Sequence, residues 1–112
     1  MLQFKRGDTF PFKVKLTLAD KQPVTDSDIS TIFVTCKSSH SEDSTLAFQK
    51  TKDDVELDSD GNLHIVIEPK DTEHLTPGIY DFDIEVTLND GYRKTKTGSI
   101  DLLYDITDHK GE

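Results

Sequence analysis

Tyr80-Asp81-Phe82-Asp83-Ile84-Glu85-Val86-Thr87-Leu88 alternates strictly between apolar and polar side chains. A period of two puts every apolar residue of such a segment on one face, so it reads as a half-buried antiparallel strand. The same period runs through Phe10, Phe12, Val14, Leu16 and Leu18, through Leu63, Ile65 and Ile67, and through Ile100, Leu102, Tyr104 and Ile106. Ile32-Phe33-Val34-Thr35-Cys36 and Leu46-Ala47-Phe48 read as two shorter strands. No stretch sustains the period of an amphipathic helix. About seven strands with turn signals between them predict an all-β protein, an antiparallel β-sandwich.

The turns are written in specific residues. Ala19-Asp20-Lys21-Gln22-Pro23 ends the first long strand, and Asp60-Gly61 and Asp90-Gly91 are strong hairpin signals. A two-residue loop at Asp90-Gly91 would set Asn89 opposite Tyr92, Thr87 opposite Lys94 and Glu85 opposite Lys96. That register places opposite charges across from each other on the outer face. Ile100 and Leu102 must nevertheless point inward, so it needs one extra residue, and Gly98-Ser99 is the expected bulge. Glu68-Pro69-Lys70-Asp71-Thr72-Glu73-His74-Leu75 breaks the strand rhythm and predicts one short helical turn near residues 69–75, with Pro at its first position. Thr76-Pro77-Gly78 then turns sharply on Gly78. Tyr80 is expected to return its hydroxyl to the backbone upstream, as a tyrosine at a sandwich corner does.

Composition narrows the function. The 112 residues suit one domain, expected to span 1–107, with 108–112 as a flexible tail and 38–45 as a polar loop. A formal charge of −9 disfavours nucleic acid and anionic membrane as partners. No apolar run approaches the roughly 20 residues of a membrane span. No signal peptide is read at the N-terminus. One cysteine, Cys36, rules out an internal disulfide framework, and its alternation with Val34 and Ile32 makes it a core residue.

No cluster points to catalysis. His40, His64, His74 and His109 are scattered without metal-ligand spacing. Asp58, Asp60 and Asn62 copy the start of a calcium loop, but the chain after them reads as a strand, so a plain turn is the expectation. Asp81, Asp83 and Glu85 form a row on one strand face, where a general acid and base would need a cleft. Arg6-Gly7-Asp8 spells an adhesion-type tripeptide, and reads as the turn before the first long strand. The expectation is therefore not an enzyme, with no cofactor and no metal.

Three stretches carry a family resemblance. Phe4-Lys5-Arg6-Gly7-Asp8-Thr9-Phe10-Pro11-Phe12 resembles the opening of immunoglobulin-like domains in tailed-phage structural proteins. Gly61 to Ile67, followed by Asp71-Thr72, Leu75 and Pro77-Gly78-Ile79-Tyr80 through Thr87, resembles the middle of the same domains. Asp90-Gly91, Thr97-Gly98-Ser99-Ile100 and Asp105-Ile106-Thr107 resemble their end. The N-terminal domain of phage baseplate upper proteins is the nearest named example. The resemblance implies an immunoglobulin-like sandwich and a non-enzymatic structural protein of a phage or prophage, found in the virion or in the host cytoplasm during assembly. Baseplate upper proteins continue into a long C-terminal part that carries the receptor-binding subunits, and this sequence ends at Glu112. The expectation is a free-standing relative or another virion component sharing the module. Its partners would be virion proteins. Candidate contact residues are Lys13 and Lys15 on one strip and Asp81, Asp83 and Glu85 on another, and these opposite charges suit a homo-oligomer built head to tail. Tyr80, Gly78 and Gly98 are read as structural. The alternative is a carbohydrate- or calcium-binding adhesion module.

Overall fold

Alternating segments must bury their apolar faces against a second layer, and in the computed structural model that layer is another sheet. It describes residues 2–16, 24–38 and 46–104. The strands are β1 (Leu2–Lys5), β2 (Phe10–Lys15), β3 (Ile29–Ser38), β4 (Leu46–Thr51), β5 (Glu56–Leu57), β6 (Asn62–Ile67), β7 (Gly78–Leu88) and β8 (Arg93–Leu103). One helical turn, α1 (Pro69–Thr72), joins β6 to β7. A five-stranded sheet runs β1-β8-β7-β3-β4, and a three-stranded sheet runs β2-β6-β5. The pairings are antiparallel except β1 with β8, which is parallel. This is an all-β sandwich with immunoglobulin-like strand order. Leu18, the turn expected at 19–23, most of the loop at 38–45, Ile106, His40, His109 and the tail lie outside the described residues.

β1 and β5 add to the expected strands. With four and two residues, they hold too few alternations to be read as strands. Arg6-Gly7-Asp8-Thr9 carries the chain from β1 in one sheet to β2 in the other. Gly7 sits at φ 82°, and Asp8 N–H donates to Lys5 O at 3.1 Å. The adhesion-type tripeptide is thus a turn, and Arg6 also donates from its guanidinium to Leu75 O at 3.2 Å.

The core lies between the sheets. Val34 and Ile32 on β3 and Ile84 and Val86 on β7 meet Leu63 and Ile65 on β6, all buried. Phe4, Cys36, Phe48, Tyr80, Ile100 and Leu102 pack with Ile67 at the other end. Aromatic rings link the two layers. Phe4 stacks on Phe10 at 4.6 Å between ring centroids, and Phe12 tilts against Phe82 at 6.0 Å. Tyr104 leaves the expected pattern: β8 ends at Leu103, and the Tyr104 ring is 73% exposed.

The β7–β8 hairpin corrects the expected register. Leu88 N–H donates to Tyr92 O at 2.8 Å and Gly91 N–H to Leu88 O at 2.9 Å, so the loop is the three residues Asn89, Asp90 and Gly91. Gly91 takes φ 91°, the left-handed position of a three-residue hairpin loop. The extra residue sits in the loop, and pairing continues unbroken from Thr87 opposite Arg93 to Gly78 opposite Leu102. No bulge forms at Gly98-Ser99. Gly98 is required for another reason: a Cβ there would lie 2.5 Å from Cζ of Phe82, whose ring covers it.

The corner between β6 and β7 ties the layers. Pro69 opens α1, and Asp71 Oδ2 accepts the Glu68 N–H at 2.8 Å. The same oxygen holds Lys50 Nζ at 2.8 Å, joining α1 to β4 in a pair whose side chains are only 8% and 12% exposed. Buried Thr72 accepts the Gly7 N–H at 2.9 Å, and Tyr80 Oη donates to Thr76 O at 2.6 Å. Gly78 stands between them at φ 149°. Removing one partner of a buried ion pair strands the other charge. Asp71→Ala and Lys50→Met should each cost about 3 kcal/mol in urea unfolding, since each leaves one buried charge unpaired, whereas the double variant Lys50→Met/Asp71→Leu should cost clearly less than the sum of the two.

Candidate functional site

Odd-numbered residues of β7 face away from the core, which lines Asp81, Asp83 and Glu85 along the outer surface of the five-stranded sheet. β3 sets Lys37, Thr35 and Phe33 directly opposite them. β4 sets Gln49 beside Thr35, and its amide donates to the Thr35 hydroxyl at 3.0 Å. Leu46, 53% exposed, closes the far side. Together these residues line a shallow concavity of about 730 Å³. On the other flank, Ser99 Oγ donates to Asp81 Oδ1 at 3.3 Å and Arg93 Nε approaches Glu85 Oε1 at 3.7 Å. Asp83 has no ion pair among the described residues. The site is thus a rigid β-face with an acidic centre and an apolar border.

Lys94 and Lys96 do not neutralise this row. The three-residue loop moves them opposite Val86 and Ile84, in phase with the other side of the sheet, and Thr95 and Thr97 take the expected places beside the acids. Lys13 and Lys15 point outward from β2, beside His64 and Asn62 of β6. They therefore occupy the outer surface of the opposite sheet, and the basic and acidic strips lie on opposite sides of the sandwich.

The remaining candidates have structural work. Asp58 Oδ1 accepts the backbone N–H groups of Asp60 and Asn62, each at 2.9 Å, and Oδ2 meets His64 Nε2 at 2.7 Å. The carboxylate that would lead a calcium loop is occupied by its own turn. No group of three or more His, Cys, Asp or Glu suited to a metal ion occurs among the described residues. Cys36 is 1% exposed, and burial pushes its thiol up to about 12. A thiol in that state is not a nucleophile at neutral pH. Phe33, Leu46 and Gln49 join the acidic row only in the folded chain. Their meeting depends on strand pairing across the long β3–β4 connection, for which the sequence carries no local signal.

The sequence matches no protein-family model and no curated protein. Among solved structures it is similar to one described as parallel homodimer structures of the extracellular domains of the voltage-gated sodium channel beta4 subunit, with a role in cell-cell adhesion. The identity is 11% and the TM-score 0.43, over 94% of this chain and 91% of that one.

The Asp58 turn makes a pH prediction. The His64 bond, then the backbone amides, hold the Asp58 carboxyl down at about 2, against an ordinary 3.8. Asp28 and Asp54 are also lowered, chiefly by accepting the backbone N–H of Thr25 and Thr51. A depressed native pKa stabilises the fold above the unfolded value, and that stability is lost as pH falls through the native one. The melting temperature should fall between pH 3.8 and about 2, and Asp58→Asn should flatten the fall in that window.

Proposed function

We propose that this chain is a non-enzymatic structural module of a tailed-phage or prophage particle, working through protein–protein contacts on the outer face of its five-stranded sheet. One observation carries the docking part of the reading. Asp81, Asp83 and Glu85 stand in the open beside Phe33 and Leu46, while the stabilising bonds of the fold are made elsewhere. An acidic centre with an apolar border suits a partner surface that presents cations around an apolar residue.

The particle role rests on the resemblance to immunoglobulin-like domains of phage structural proteins. The residues that carry it hold the sandwich together here. Asp71 pairs with Lys50, Thr72 receives Gly7, Tyr80 locks onto Thr76, and Gly98 makes room for Phe82. Such a module serves as a rigid spacer that presents its faces to repeated neighbours. Opposite charge strips on opposite sheets also suit head-to-tail contacts between copies, in a ring that closes by rotation.

Mass spectrometry of purified particles from an induced lysogen carrying the gene tests the role. The chain should be found in the particles at a fixed ratio to the tail proteins. The Asp81→Lys/Asp83→Lys variant should melt like the parent and fail to be incorporated. A chain made in the cells but missing from the particles would contradict the role, and normal incorporation of the variant would contradict the docking face.

A further inference from the structure

Among the described residues, β8 is paired on both sides for only part of its length. β1 pairs with Ile100–Leu103. Residues 93–97 have β7 on one side and no strand on the other among the described residues, and all five are exposed. The hairpin sets the direction of their backbone groups. Leu88 N–H bonds to Tyr92 O, so even-numbered residues of β8 turn their N–H and C=O groups toward β7. Arg93, Thr95 and Thr97 turn theirs to the open side. The segment has no proline and no register shift, so it offers a straight edge about 16 Å long.

Its side chains state what would fit. Arg93, Lys94 and Lys96 concentrate positive charge on a chain of net −9. Arg93 is engaged with Glu85, whereas Lys94 and Lys96 have no ion pair among the described residues. A second β8 is a poor occupant, because antiparallel pairing about Thr95 would set Lys94 against Lys96 of the other copy. An added strand with acids at alternate positions would instead place each acid beside Lys94 or Lys96, with β-branched residues facing Thr95 and Thr97.

We propose that the open edge Arg93–Thr97 accepts an extended acidic segment of a partner protein as a sixth strand of the five-stranded sheet. Main-chain bonds to Arg93, Thr95 and Thr97 give the attachment, and Lys94 and Lys96 select acids two residues apart. The site adjoins the acidic face through Arg93, Thr95 and Thr97, and it does not depend on the particle role.

The test is titration of the intact ¹⁵N-labelled chain with the capped peptide Thr-Glu-Val-Glu-Thr-Glu-Val, with a peptide carrying Lys for each Glu as control. Chemical shifts should move along β8, and exchange of the Arg93, Thr95 and Thr97 amides should slow while Lys94 and Lys96 stay as they were. Lys94→Glu/Lys96→Glu should weaken binding by about tenfold without lowering the melting temperature. No shift at millimolar peptide would overturn the proposal and leave the lysines as guards against edge pairing. Equal binding of the lysine peptide, or shifts confined to β2 or β4, would also overturn it. So would a peptide-independent dimer through β8, which would make a second copy the occupant.

Discussion

The pairing of β7 with β8 governs the rest of this structure, and three residues set it. A strand shifted by one position turns every side chain to the opposite face. Asn89, Asp90 and Gly91 close the hairpin with Gly91 at φ 91°, a conformation that side-chain-bearing residues rarely adopt. That loop puts Ile100 and Leu102 into the core without a bulge, sets Phe82 over Gly98, and brings Arg93 to Glu85. It also leaves Lys94 and Lys96 away from the acidic row, on an edge that β1 does not reach.

Stability and surface chemistry are carried by different residues. The two sheets are held by apolar packing, the Phe4–Phe10 stack and the corner around α1. At that corner Asp71 serves two partners, Lys50 and the Glu68 N–H, while Thr72 anchors the turn from β1. The acidic face takes little part in this framework. Its residues make peripheral contacts to Ser99 and Arg93, so they can be exchanged with modest effect on folding. Such separation favours a module whose rigid scaffold presents replaceable surfaces.

Much of this was legible in the chain. Strict alternation from Tyr80 to Leu88 marked a half-buried strand, Pro69 after Glu68 marked the helical turn, and Tyr80 after Pro77-Gly78 marked the corner. These are local signals, each readable within about ten residues. The length of the Asn89–Gly91 loop was not legible, since Asp-Gly suits both two- and three-residue hairpins. Nor was the burial of Lys50, because its partner Asp71 lies on another element. The acidic row itself could be read from alternation, but not the groove that Phe33 and Leu46 complete, for pairing between distant strands leaves no mark in either segment.

The register of β7 against β8 is tested most directly by the set of cross-strand Hα–Hα NOEs in the hairpin. Pairs of residues that do not exchange hydrogen bonds bring their Cα atoms to about 4.5 Å, close enough for strong signals. Strong NOEs are expected between Glu85 and Thr95 and between Asp83 and Thr97. NOEs placing Glu85 opposite Lys96 would contradict this register, returning the lysines to the acidic face and removing the basic edge.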